Sequence, residues 1–491
     1  MTPLDWLVVV GYGLAVLLLG VLIRERSADD TEYFLAGRQQ GWSQVAASTW
    51  ATKLSALTFI GVPGAAIAGN FAYLQLWFGS FIAAYLVAVI FIPEFYRLRV
   101  ATVYEYLEHR IGPRARTGAT LVFIVSRCLA SAVRLAGCAI AVSVFFDLSL
   151  QSAIIAIAGI AALYVLSGGL RAVIWTDCLQ LGLFLTGAIA AIVFVGLVLP
   201  GGFLEILQTG KATDKFRVFN FKLDMSDATT FWTGNVFSVV LGMATGAADQ
   251  DIAQRALSCP NARQARIAVI TAGAADLIST FLFLSVGLAV FTYYETFPHQ
   301  AVSDLLEANR YDFVFPHFIR HELPAGLRGV LIVALFAAAM SSLDSALSGL
   351  ASSTYYDLGL TGRGESGSKL VGPRVLVVIF AVVLALIAVA FRSQPSILWF
   401  GLKIMGYTYG GLLGLFFVAL FLHRFTTDMM SAVALVSSIL VVIIATQWGF
   451  GFAPVPWPFA VVVGMTWTCA AAVLFGTLHS RGRIQSQQQG H

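Results

Sequence analysis

The chain has 491 residues, 58% of them hydrophobic and only 11% charged, with a formal net charge of +4 and a mean hydropathy of +0.82. So much apolar surface excludes a water-soluble domain: the chain must use lipid as solvent, and its small positive charge implies no nucleic-acid partner. The 5 cysteines are scattered without metal or disulfide spacing, and no HExxH, GxSxG or histidine-rich span occurs, so neither an enzyme nor a metal or organic cofactor has support.

Apolar windows predict an all-α polytopic membrane protein of about thirteen transmembrane helices, near 4–23, 42–68, 71–96, 118–146, 150–167, 173–199, 229–250, 265–292, 328–355, 371–391, 396–421, 430–447 and 455–478. The first window lacks the basic start and cleavage site of a signal peptide and reads as a retained span. Placing the N-terminus outside puts most basic residues in cytoplasmic segments, among them Arg24, Arg26, Arg38, Arg97, Arg99, Arg363, Lys369 and Arg374. By the positive-inside rule this is a multi-pass protein of the cell membrane with an external N-terminus and a cytoplasmic C-terminus.

Polar residues inside these spans carry the functional signal. Lys53 lies within the second span, where an unpaired ammonium costs a few kcal/mol, so it faces a ligand, a water-filled cavity or a buried acid. Arg127, Ser131 and Arg134 follow at i, i+4 and i+7 of the fourth span and share one face. Arg127 is then roughly 13 Å and Arg134 roughly 24 Å from the cytoplasmic entry. Asp177 opens the sixth span, where a carboxylate suits either an ion or the helix N-terminus.

The ninth span carries Ser341, Ser345 and Ser348 as one stripe, with Ser342 and Asp344 beside it. Small hydroxyl residues are a common helix-packing surface, but an acid among them supplies the hard oxygen ligands an alkali cation needs. In the eleventh span Lys403 reads either as a pathway residue or as a partner of an acid such as Asp276.

Several stretches, each weak alone, are jointly specific in their order. They are Asp30-Thr-Glu-Tyr-Phe-Leu-Ala-Gly-Arg38, Leu54-Ser-Ala-Leu-Thr-Phe-Ile-Gly61, Val103-Tyr-Glu-Tyr-Leu-Glu108, Gly168-Gly-Leu-Arg-Ala-Val-Ile-Trp-Thr-Asp177, Asp249-Gln250 with Gln254-Arg255, Leu323-Pro-Ala-Gly-Leu-Arg-Gly329, Ala337-Ala-Ala-Met-Ser-Ser342 and Tyr407-Thr-Tyr-Gly-Gly-Leu-Leu-Gly414. Through them the chain resembles the sodium/solute symporter family over about Asp30 to Leu422.

The resemblance implies a LeuT-type inverted-repeat core with broken helices near the membrane midplane. The implied organisation is an extra N-terminal helix and loop over 1–41, the core over 42–447 with its halves at 42–250 and 265–447, and a last helix and short polar tail over 448–491. No sequence breaker marks the unwound stretch, since Gly61, Pro63 and Gly64 lie beyond it.

By position, the family's shared sodium site falls on Ala51, Leu54, Ala338, Ser341 and Ser342. A second sodium, as in the sialic acid branch, would use Asp177, Asp344 and Ser345, with Asp344 standing where that branch has serine. Substrate contacts are implied at Lys53, Ser55, Thr58, Arg127 and Arg134. Lys53 replaces an asparagine of sugar carriers and a threonine of sialic acid carriers, and Ala130 stands at the register of the latter's arginine. The expectation is sodium-coupled symport of a small polar, carboxylate-bearing solute. A proton-coupled symporter of the same fold and a non-transporting solute sensor are the alternatives.

Overall fold

The computed structural model describes residues 1–22, 35–100, 102–165, 170–358, 371–392, 394, 396–449 and 453–489. Arg24, Arg26, Gly168, Arg363, Lys369 and the first residues of the Asp30 motif lie outside the described residues. The helices are α1 (Pro3–Leu22), α2 (Trp42–Lys53), α3 (Ala56–Ala68), α4 (Gln75–Leu98), α5 (Val103–Arg110), α6 (Pro113–Phe146), α7 (Leu150–Val165), α8 (Leu170–Val198), α9 (Gly202–Ala212), α10 (Phe231–Ala248), α11 (Gln250–Leu257), α12 (Ala262–Thr296), α13 (Gln300–Glu307), α14 (Val314–His321), α15 (Leu327–Asp357), α16 (Val371–Ala390), α17 (Ile397–Phe417), α18 (Asp428–Gln447) and α19 (Ala460–Gln489).

Among the described residues 8 helices are long and apolar enough to cross a bilayer, and 9 spans result if α2 and α3 are joined. The other expected spans fall on the shorter apolar helices α1, α7 and α16, and on α10, whose Thr233, Asn235 and Thr245 dilute its apolar character. Length and apolarity alone therefore do not reproduce thirteen.

The window expected at 42–68 is two helices bent by 57° at a short break. Leu54 (φ −74°, ψ 97°) and Ser55 (φ −105°, ψ 173°) are extended. They interrupt the helical ladder and free carbonyls of the preceding turn. No glycine or proline sits at the break, and Pro63 is carried inside α3. Tertiary contacts decide the bend, because Ser48 and Lys53 both reach acids on other helices. A second interruption follows α10, where Asp249 is extended (φ −92°, ψ 114°) before α11 begins.

Small residues let these elements close on one another. A Cβ on Gly287 of α12 would sit 2.4 Å from the Pro63 carbonyl oxygen, so only glycine allows this approach to α3. The serine-bearing α15 is the most enclosed of the candidate spans, with 83% of its apolar window buried. At its start, Asp5 of α1 accepts the Gly326 and Gly329 N–H groups at 2.9 and 3.2 Å, which docks α1 on α15.

Between α12 and α15 the chain forms α13, a turn at Tyr311–Phe313 and α14. The buried Asp312 in that turn accepts the Ile397 N–H at 3.0 Å, capping α17. Burial pushes its carboxyl up to about 6 from the usual 3.8. The folded state therefore holds a proton between about pH 4 and 6 that the unfolded chain has lost, so stability rises as the pH falls through this window. Asp312→Asn keeps the acceptor without the charge. It should stabilise the protein at about pH 7.5 by up to about 3 kcal/mol and remove the gain on acidification; thermal melts at about pH 7.5 and about pH 5 check this, and an unchanged pH dependence would clear Asp312 of the effect.

Candidate functional site

Two polar clusters share the middle of the bundle. The first joins α2, α8, α11 and α15 around Asp177. One Asp177 oxygen accepts the Ser341 hydroxyl; the other accepts the Ser48 hydroxyl at 2.5 Å and an Arg255 Nη2 proton at 3.1 Å. Arg255 also donates to Ser48 Oγ at 2.9 Å, to Ser345 Oγ at 2.6 Å and to the Asp251 carbonyl at 2.8 Å.

Asp177 lies two turns inside α8, which begins at Leu170, so the helix-capping reading is corrected. The structure instead gives this carboxylate to hydroxyls and a guanidinium. Ser342 Oγ donates to the Ala338 carbonyl at 2.8 Å. Asp344 Oδ1 accepts the Ser345 N–H at 2.6 Å, whereas its buried Oδ2 has no hydrogen-bond partner. Ala51 and Leu54 are buried at the end of α2 and in the break, on the strand of chain that Ser48 ties to Asp177 and so to Ser341.

The second cluster is a cavity of about 170 Å³, lined by Lys53, Ser55, Thr58, Arg127, Ala130 and Arg134 and floored by Asp249, Ile252 and Ala256. All five residues expected to contact substrate meet here. Tyr73, Trp77 and Phe237 add aromatic wall.

The cations of this cavity are not equivalent. Lys53 Nζ lies 2.9 Å from Asp276 Oδ2 of α12, with Asp276 1% exposed. The buried acid that meets Lys53 is therefore Asp276 and not Asp344, and the pairing of Asp276 with Lys403 is corrected, since Lys403 is exposed and lies 6.0 Å from the Tyr407 ring centre. Arg127 is held by Asp249 at 3.1 Å and, more closely still, by Asp251; Tyr409 donates to the same Asp249 oxygen at 2.8 Å.

Arg134 has no carboxylate within ion-pair distance among the described residues, and its Nη1 is buried without a hydrogen-bond partner. The cavity thus presents one uncompensated guanidinium among compensated charges. Sequence reasoning missed Ser48, Asp249, Asp251 and Arg255 as site residues. The signal for Asp251 and Arg255 was an acid and a base at i and i+4 just after an apolar window, which reads equally well as an ordinary cytoplasmic loop.

The Lys53 pair makes a direct expectation. Lys53→Met strands Asp276 as a buried charge, a loss of about 3–5 kcal/mol, and should sharply reduce the monodisperse protein recovered by size-exclusion chromatography. Adding Asp276→Asn should restore it. If the double variant is as poor as the single one, the pair is not what Lys53 is needed for.

A profile described as "Sodium:solute symporter family" matches residues 33–440. The chain is 29% identical to the sodium/sialic acid symporter NanT of Aliivibrio fischeri, over 91% of this chain and 89% of that one. It is 29% identical to sodium-coupled monocarboxylate transporter 2 of Danio rerio, over 80% of this chain and 63% of that one. A solved Na+-coupled sialic acid symporter, in a substrate-bound outward-open state, superposes with a TM-score of 0.85 at 26% identity, covering 97% of this chain and 98% of that one. The all-helical bundle is accordingly of LeuT type, and transport rather than enzymatic chemistry is its activity. On this match, the chain belongs to the sodium:solute symporter family, whose members couple solute uptake to sodium.

Proposed function

We propose that the solute this chain carries bears a carboxylate, and that Arg134 receives it. The observation behind this reading is the unpartnered Arg134 guanidinium on a cavity whose other cations are already neutralised. A carboxylate would supply the missing acceptor through a charge-assisted pair. Ala130, at the register of the sialic acid branch's arginine, lies one helical turn before Arg134 on the same face of α6, so the guanidinium is moved by a turn rather than lost. The relatives named for sialic acid and for monocarboxylates carry acids, which supports the same class.

Sodium is placed at Ala51, Leu54, Ala338, Ser341 and Ser342, and a second ion at Asp344, Ser345 and Asp177. The unpartnered Asp344 Oδ2 supports the second ion, since a buried carboxylate oxygen without a donor is stabilised by a cation. Asp344→Asn is expected to bring the sodium Hill coefficient of uptake down toward one; an unchanged coefficient would remove the second ion. Cell-membrane placement with the N-terminus outside follows from the basic residues of the short loops. The second repeat is placed from α10 rather than from 265, because the two interruptions, after Lys53 and at Asp249, then each fall in the first helix of a repeat.

The test is thermal stabilisation of the purified protein by carboxylates, amino acids and sugars, each in sodium and in choline. Stabilisation by carboxylates that requires sodium is expected. Stabilisation confined to neutral sugars would overturn the reading, and uptake driven by a proton gradient without sodium would overturn the ion assignment.

A further inference from the structure

The eight residues of α11 touch both clusters. At one end Asp251 holds Arg127, a wall of the solute cavity; one turn later Arg255 holds Asp177, Ser48 and Ser345, the polar centre of the ion cluster. The two ends are tied to each other, since Arg255 Nη1 donates to the Asp251 carbonyl at 2.8 Å. Ile252 and Ala256, each the next residue after one of these two, form part of the cavity floor. α15 packs closely on one end of the helix, where a Cβ on Gly349 would lie 3.3 Å from Asp251 Cβ, and at the other end Tyr96 OH donates to the Ala256 and Cys259 carbonyls at 2.9 and 2.8 Å.

Asp177 accepts three hydrogen bonds, and the one from Arg255 carries a full positive charge. A sodium ion that used Asp177 or Ser345 would compete with that guanidinium for the same oxygens and repel it. We infer that Arg255 is a tethered cation that competes with sodium, and that its displacement shifts α11, and with it Asp251 and Arg127, so that ion occupancy is read out at the floor of the solute cavity. This rests on the ion placement proposed above. Arg255 is a positioning residue in this scheme, acting on solute through Asp251 and Arg127.

Competition and simple structural support predict opposite signs. With sodium chloride as the probe and choline chloride as control, Arg255→Gln should lower the sodium concentration for half-maximal thermal stabilisation roughly tenfold, since the competitor is gone. In the same protein, sodium should no longer change hydrogen exchange of peptides covering 244–257, a change expected in the wild type. If Arg255→Gln does not fold, Arg255→Lys keeps the charge but loses the fork that reaches four partners. It should lower the half-maximal sodium concentration about threefold and weaken the exchange response.

A half-maximal sodium concentration at or above the wild-type value in the folded variant, or an exchange response that persists, overturns the coupling proposal alone. A wild type that sodium does not stabilise overturns the ion placement with it.

Discussion

Arg134→Gln should weaken binding of a carboxylate solute by roughly tenfold to a hundredfold while leaving sodium binding within about twofold, the range expected for one charge-assisted contact. The choice of Arg134 over Lys53 rests on compensation. Lys53 is nearest the helix break, but its ammonium already has Asp276 at 2.9 Å, and a solute carboxylate would have to share it with a fixed acid. Arg127 is committed twice over, to Asp249 and Asp251.

Arg134 has neither, so a bound anion would gain the whole interaction and relieve a buried donor at once. Arg134→Lys should recover only part of the affinity, because an ammonium cannot present two parallel donors to a carboxylate. Isothermal titration in sodium, with the wild-type solute found by the thermal screen, reads both variants. A carboxylate solute bound equally well by Arg134→Gln would sink the assignment.

How far the sequence alone reached depends on which interaction decides each feature. The spans were legible because lipid demands long apolar windows, and the shared cavity was legible because Lys53, Arg127 and Arg134 are too costly to leave facing lipid. Which base meets which acid was not legible. Lys53 and Asp276 lie 223 positions apart, and nothing at either position distinguishes Asp276 from Asp344 as the partner. The break after Lys53 was hidden for a related reason: local propensity offers no stop there, and the bend comes from tertiary contacts made by Ser48 and Lys53. The capping alternative for Asp177 arose because the apolar window begins near 173, whereas α8 starts earlier, at Leu170.

Sodium dependence should respond to two hydroxyls by different amounts. A serine that donates its proton elsewhere turns its lone pairs outward, which is the form in which it can ligate a cation. Ser342 donates to the Ala338 carbonyl at 2.8 Å, and Ser341 donates to Asp177. Ser342→Ala removes one oxygen ligand and should raise the sodium concentration for half-maximal uptake about tenfold, equivalent to about 1.4 kcal/mol. Ser341→Ala removes a ligand and also strips a donor from a buried carboxylate, so its effect should be several-fold larger. The larger effect should persist when solute is saturating, because neither hydroxyl lies on the solute cavity. Uptake measured across a sodium series, with choline keeping ionic strength constant, gives both values. A folded Ser341→Ala and Ser342→Ala double variant with wild-type sodium dependence would remove these hydroxyls from the ion site.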